Sequence, residues 1–429
     1  MATAAAGERR SDARGSNSVD GMSADAPQVL SRSEVIGWRN AVFVVFALAG
    51  FAVASWLSRV PAVRDELAVS TSVLGFVLLG LAVGSMFGLS ASSGVIERFG
   101  AARGLMLAVV ATVIGLPVAA IGSALSSPVL TFAGLAVFGF GNGMWDVAMN
   151  VSGAANERAL GRAVMPLFHA AFSLGTVVGV GIGSLAEALR VPVIVHVSAA
   201  AVLVFVVAAI ATRWFRSERT MEPQHEARPD WRERLRVWRE PRTLLIGLLV
   251  LGMAFAEGSA NDWLPLAMVD GHGLQNDQGA VVLGVFLAAM TIGRLAGVVL
   301  LNRFGRIPVL RTAAVLAVIG LALVIFGPTP AIAIVGSVIW GLGASLGFPV
   351  GMSAAADDAR MASARVSVVA TIGYLAFLAG PPLIGILGDQ VGLLHALLVV
   401  VVLVVISGLV SGAAREPRRP SHDAASIEK

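Results

Sequence analysis

Ser93-Gly94-Val95-Ile96-Glu97-Arg98-Phe99-Gly100 joins two apolar blocks, and its last four residues return as Asn302-Arg303-Phe304-Gly305, about 205 positions later. Two further pairs keep nearly the same offset: Trp56-Leu57 with Trp263-Leu264, and Gly139-Phe140-Gly141 with Gly341-Leu342-Gly343. Three pairs at one spacing mark an internal duplication, so the chain reads as two halves of one architecture. In a membrane protein built from such repeats, a solute pathway lies where the halves meet.

The residues around these pairs decide that the medium is lipid. Of 429 residues, 56% are hydrophobic and 14% charged, where a soluble chain carries about 25% charged. The apolar residues come in blocks of the roughly 20 needed to cross a bilayer. In hydrocarbon such blocks satisfy their backbone as helices. Spans are predicted at 37–58, 72–96, 102–122, 128–153, 163–187, 191–212, 243–264, 279–301, 308–327, 330–352, 364–388 and 391–412, with Gly and Pro interrupting the fifth and tenth. The predicted fold is all-α and integral to the membrane: twelve transmembrane helices in two pseudo-symmetric six-helix bundles. Its expected units are a disordered cytoplasmic tail (1–36), a first bundle (37–212), a cytoplasmic linker (213–242), a second bundle (243–412) and a cytoplasmic tail (413–429). No apolar core follows the basic start, so the N-terminal tail does not read as a signal peptide. The 48 glycines suit close helix contacts. The absence of cysteine removes disulfides, thiolate metal sites and thiol chemistry.

Arginine placement sets the expected orientation. With the N-terminus in the cytoplasm, all but four of the 31 basic residues fall on the inner side. Arg59, Arg64 and Arg190 fall outside, and Arg294 lies within a span. This asymmetry is a positive-inside signal. It places both termini in the cytoplasm and the protein in the inner (plasma) membrane as a multi-pass chain, and it explains the basic balance without nucleic acid. The Asp230–Glu240 stretch (DWRERLRVWRE) reads either as a basic amphipathic helix on the anionic inner leaflet or as a solvated linker.

Against this apolar background the polar residues stand out. Asn142, Asp146 and Asn150 fall at i, i+4 and i+8, one stripe on the fourth span. An acid in a spanning helix costs roughly 2.5–3.5 kcal/mol, so such a group normally faces a cavity and has a task. His169 on the fifth span is expected at a similar depth and could share a proton with Asp146, or make an interhelical hydrogen bond. On the seventh span Glu257 and Asn261 share a face, while Asp262 reads as a solvated charge nearer the outer mouth. Gly258 and Pro265 allow that helix to break. Arg294 must find an anion or carbonyls: Glu257 is one candidate, and bracing the loop around Arg303 is the other. Trp56, Trp145, Trp263 and Trp340 fall on spans expected to line the pathway, where rings could stack on a sugar. Trp56 and Trp263, near the outer surface, also suit anchoring or an outer gate.

Ser93 to Arg103 and Asn302 to Arg306 resemble the G-x-x-x-D-R-x-G-R-R loop pattern of the major facilitator superfamily of secondary transporters. The first copy is degenerate and the second carries Asn for Asp. The resemblance covers about 37–412. It implies that Glu97 and Arg98, with Arg303 in the second copy, latch the cytoplasmic helix ends when the carrier faces outward. Asp146-Val147-Ala148-Met149-Asn150 is similar to the E-x-A-x-N pattern of the fucose–proton symporter-like branch, with Asp one methylene shorter than Glu. Met165 to Gly175 is also similar to the fifth span of that branch. The likeness implies that Asp146 takes part in proton or sugar coupling.

The expected function is therefore secondary active transport: proton-coupled symport of a small polar solute, a sugar or related metabolite, by alternating access. Asp146, His169 and Glu257 are the proton-coupling candidates. Asn142, Asn150, Trp145, Asn261 and Trp340 are the candidates for solute binding. Glu97, Arg98, Arg303 and Arg294 are expected to gate or brace. A proton-driven exporter of a metabolite or drug is the alternative, and it lacks the Gly-Pro pair late in the fifth span, which reads Gly175-Thr176-Val177-Val178-Gly179. No H-E-x-x-H is present and acids and histidines do not cluster at metal spacing, so no enzyme, metal site or cofactor is expected. Expected partners are the solute, protons and the lipid bilayer, and the resemblance implies a monomer.

Overall fold

The computed structural model describes residues 30–162, 164–216, 236–358 and 361–416. Among them, twelve helices are long and apolar enough to span a membrane. They are α1 (Arg32–Leu67), α2 (Thr71–Phe99), α3 (Ala101–Ala124), α4 (Pro128–Leu160), α5 (Met165–Ala188), α6 (Val193–Trp214), α7 (Pro241–His272), α8 (Asn276–Phe304), α9 (Arg306–Phe326), α10 (Pro330–Ala355), α11 (Ala364–Val391) and α12 (Leu393–Ala414). The described residues contain no strand. Large apolar side chains such as Phe87, Leu174, Val299 and Leu409 are exposed on the outside of the bundle, as a lipid-facing surface requires.

Several helices run past the predicted limits, because a helix does not stop where the hydrocarbon does. α1 starts at Arg32, not 37, since Ser31 and Glu34 form a reciprocal capping box. α4 continues to Leu160, where Gly161 takes a left-handed conformation and ends it. α7 stays continuous through Gly258 and Pro265, so the predicted break is absent. α5 is also continuous, because Pro166 sits in its first turn, where no N–H is missed. α1 is interrupted at Ser58-Arg59 and α10 at Ser345-Leu346. Of the Asp230–Glu240 stretch, residues 230–235 lie outside the described residues, as does the tail before residue 30. Val237, at its described end, is buried against Ala364 and Val368.

The duplication seen in the sequence is a duplication of geometry. Gly100 and Gly305 both have positive φ (82° and 77°) with extended ψ, a conformation open to glycine and closed to most side chains. Each ends one helix and begins the next. Beside them, Arg98 lies over the Phe99 ring at 5.5 Å and Arg303 over Phe304 at 5.4 Å. The glycine pairs correspond as well. On α4, Gly139 faces the backbone of α2 at Leu81, and Gly141 faces α3 at Ala108 and Thr112. On α10, Gly341 faces α8 at Phe286, and Gly343 faces α9 at Ala313 and Ala317. A side chain at these positions would strike backbone, so small residues let the helices close on one another. Between the halves, α2 packs on α11 and α5 on α8.

Candidate functional site: a cavity between the halves

A cavity of about 260 Å³ lies between these two seams. That is slightly under the roughly 300–1,000 Å³ usual for small-molecule sites, a size for a small solute. α2 contributes Leu81, Ser85 and Met86, α4 contributes Asn142 and Asp146, α7 contributes Asn261 and Asp262, and α11 contributes Tyr374 and Phe377. The polar groups thus come from both halves.

Two residues of the α4 stripe, Asn142 and Asp146, line the cavity, while Asn150, predicted to bind solute, lies off its wall and holds Asp146 instead. The Asp146 carboxylate is open to the cavity, and the Asn150 amide donates to it at 3.2 Å and to its carbonyl at 2.8 Å. The close α2–α4 seam, where Gly139 and Gly143 meet Leu81 and Ser85, sets the stripe at the cavity wall. Asn142 lines the cavity one turn away.

Other predicted residues are placed differently. His169 sits edge-on to Phe46, with centroids 5.2 Å apart, and does not line the cavity. Among the described residues Asp146 bonds only Asn150, so the expected His169–Asp146 pair is not made. The cause is packing: α5 lies on α1 and α8 and barely touches α4. Glu257 also stays off the cavity wall. Both its oxygens accept from Arg294, at 3.0 and 3.1 Å, and Arg294 further reaches the Ser345 carbonyl at 3.4 Å. Arg294 therefore answers the acid of the neighbouring helix rather than bracing the Arg303 loop. Trp145 and Trp340 are buried in helix packing at 1% and 0% exposure, and Trp340 meets Phe286 edge-on, so neither ring faces the cavity. Trp56 and Trp263 are equally buried, which removes them as interfacial anchors.

Two titratable residues of the cavity wall lie outside the site set read from the sequence. Asp262, expected as a solvated end charge, lines the cavity opposite the α4 stripe. Tyr374 is the only tyrosine in the chain, and its position inside a span was the available signal. One sequence match leads nowhere: Gly343-Ala344-Ser345-Leu346-Gly347 fits G-x-S-x-G, but Ser345 sits at a helix interruption and donates to the Leu342 carbonyl at 2.7 Å. The strand-to-helix elbow that makes such a serine a nucleophile is missing there.

At the end away from most arginines, several bonds join the two halves. There Arg64 bonds Asp270 at 2.5 Å, and the Asn276 amide donates to Asp65 at 3.0 Å. Ser184 donates to the Asp277 carbonyl at 2.9 Å. Asp389 of α11 caps α2, accepting from the backbone N–H groups of Thr71 (2.9 Å) and Ser72 (3.1 Å) and from both hydroxyls. All of these join one half to the other.

The twelve-helix duplicated bundle with a cavity at its pseudo-twofold interface has a family. The profile of the Major Facilitator Superfamily matches residues 42–376, with a second match over 263–429. The chain belongs to the Major Facilitator Superfamily. An uncharacterized MFS-type transporter of Yersinia pestis is 30% identical over 347 residues, covering 81% of this chain and 88% of its own. An uncharacterized transporter of Sinorhizobium fredii is 32% identical over 359 residues, covering 82% and 91%. Among solved structures, a point mutant of the nucleoside transporter NupG has a TM-score of 0.73 at 14% identity, covering 89% of this chain and 100% of its own. A bacterial homolog of the lysosomal transporter Spinster, inward-facing, gives 0.68 at 13% (91% and 100%). The E. coli fucose:proton symporter FucP gives 0.59 at 15% (90% and 100%). These structural likenesses show the fold. The protein is a multi-pass membrane transporter.

Proposed function

We propose that this transporter couples a small polar solute to protons as a symporter, by alternating access, with Asp146 as the proton-carrying group. One observation carries the reading: a carboxylate of the first half, steadied by Asn150, opens into a cavity shared with Asn261, Asp262 and Tyr374 of the second. An acid in that setting, with no cationic side chain on the cavity wall, is stable in a membrane when it takes a proton or meets a solute. Binding at the interface ties both halves to one event, so that rocking moves the site from one side to the other. The positive-inside rule puts the arginine-rich end and both termini in the cytoplasm of a bacterial inner membrane. The sealed far end then faces outward, and this conformer is inward-facing. In this reading Arg98 and Arg303 rest on their own loops and turn to the opposite half only when the carrier faces out.

Proteoliposomes in a weakly buffered medium that holds an impermeant pH dye outside the vesicles test the proposal. A panel of hexoses, pentoses, nucleosides and small amines is added outside, with wild type beside Asp146→Asn. The expected result is external alkalinisation with at least one compound, lost in the variant. External acidification by an added compound in wild type would instead place the protein among proton-driven exporters. A proton signal that survives Asp146→Asn removes that residue from coupling.

A further inference from the structure

We infer that the solute carries an ammonium group, held by Asp262 and Asn261 beside Asp146. The inference rests on the reading of the cavity as the transport site. The argument is an inventory of donors and acceptors. Two carboxylates line the cavity, and no Arg, Lys or His lines it with them. The neighbouring cation, Arg294, is engaged by both oxygens of Glu257, and His169 lies against Phe46. Among the described residues Asp262 accepts no hydrogen bond, while Asp146 has the Asn150 amide. The Asn261 side-chain oxygen is buried and also lacks a donor.

The second half therefore offers a carboxylate on the cavity wall and, on the adjacent residue, a buried amide oxygen that also lacks a donor. Water or a hydroxyl solute brings acceptors as well as donors. An ammonium brings three donors, a positive charge and no acceptor. The remaining wall suits it, since Tyr374 and Phe377 present rings on which a cation can rest, and Leu57, Leu78, Leu81 and Leu89 accommodate an apolar body. A phosphate or carboxylate solute would meet the Asp262 carboxylate and find no cationic side chain on the wall. Asp262 takes the ammonium because it has no bond to give up. Asp146, steadied by Asn150, keeps the proton.

The absence of native cysteine allows a test that needs no knowledge of the solute. Ser85→Cys, and separately Ala82→Cys, place one thiol in the cavity wall. Each purified protein is labelled with aminoethyl or hydroxyethyl methanethiosulfonate, a matched ammonium and hydroxyl pair. Rates are divided by those for free mercaptoethanol. A cleft lined by one sign of charge raises local counter-ion encounter about tenfold or more, so the normalised preference for the ammonium reagent is expected at about that value. Adding Asp262→Asn should bring it to within about twofold of unity. Equal rates in the parent, a preference unchanged by Asp262→Asn, or no labelling at either position would overturn the inference. A carrier with this preference but no proton flux for any amine keeps the inference and loses the symport reading. One that moves protons with a neutral hexose and shows no preference does the reverse.

Discussion

At the far end Arg64 reaches Asp270, Asp65 holds Asn276 and Asp389 caps α2, each contact joining one half to the other. At the arginine-rich end Arg242 and Arg306 share Asp357, and Arg365 holds Glu240 and Asp358, all within the second half. A carrier that rocks must break the first set in every cycle and can keep the second throughout. One residue from each set illustrates that division. Asp357 is buried at 8% exposure between its two arginines, whereas the Asp270 carboxylate is 35% exposed. Contacts that stay formed can be buried and strong, while contacts that turn over are better left weak and near water.

The most severe way to break the far end is steric. Gly75 of α2 lies against the Pro381 backbone of α11, where an added Cβ would come within 2.5 Å of the carbonyl oxygen. Backbone cannot swing aside as a side chain can. Gly75→Val should cost the closed state about 1–3 kcal/mol or more, lowering its population about 10- to 100-fold. An impermeant maleimide applied to intact cells should then label Ala82→Cys from outside. Unchanged protection would mean that the α2–α11 seam is not the outer gate.

Asp389→Asn is a gentler break. The amide keeps an acceptor but loses the charge that strengthens hydrogen bonds to Thr71 and Ser72. At this exposed position the loss should be about 1 kcal/mol, or roughly fivefold in external labelling. Arg64→Ala, removing a partly exposed ion pair, should give only about twofold. If Arg64→Ala exceeded Asp389→Asn, the helix cap would be secondary and the ion pair would dominate the gate.

The fold was legible because lipid forces long apolar helices and the duplication left matched glycines. Gly100 and Gly305 mark the same turn, and Gly139 and Gly341 the same seam. The site was half legible. The Asn142–Asp146–Asn150 stripe needs only helical spacing on one helix; Asn142 and Asp146 reach the cavity, and Asn150 meets Asp146 one turn beyond its wall. Trp145 and Asp146 point about 100° apart on α4, so the face that carries Asp146 to the cavity turns Trp145 into helix packing. Asp262 lies deeper than its sequence position suggests. The apolar span ends near 264, but α7 runs on to His272, which carries Asp262 inward. Asp389 was invisible as a latch because its partners are more than three hundred residues away in sequence.

The smallest expected effect belongs to the arginine-rich end and tests whether its bonds are structural only. Glu240, just before α7, is held below its ordinary carboxylate value of 4.5 chiefly by its hydrogen bond to Arg365, with help from Thr243. A depressed acid contributes stability that is present above its unfolded-state value and is lost as pH falls through the folded one. Thermal melting in detergent should therefore show a small fall in stability as pH drops below 4.5, and Glu240→Gln should flatten that part of the profile. Because the pair lies within one half, the variant should leave external labelling of Ala82→Cys unchanged at neutral pH. A shift in labelling would show that the pair takes part in the conformational balance and that the two ends are not divided as drawn here.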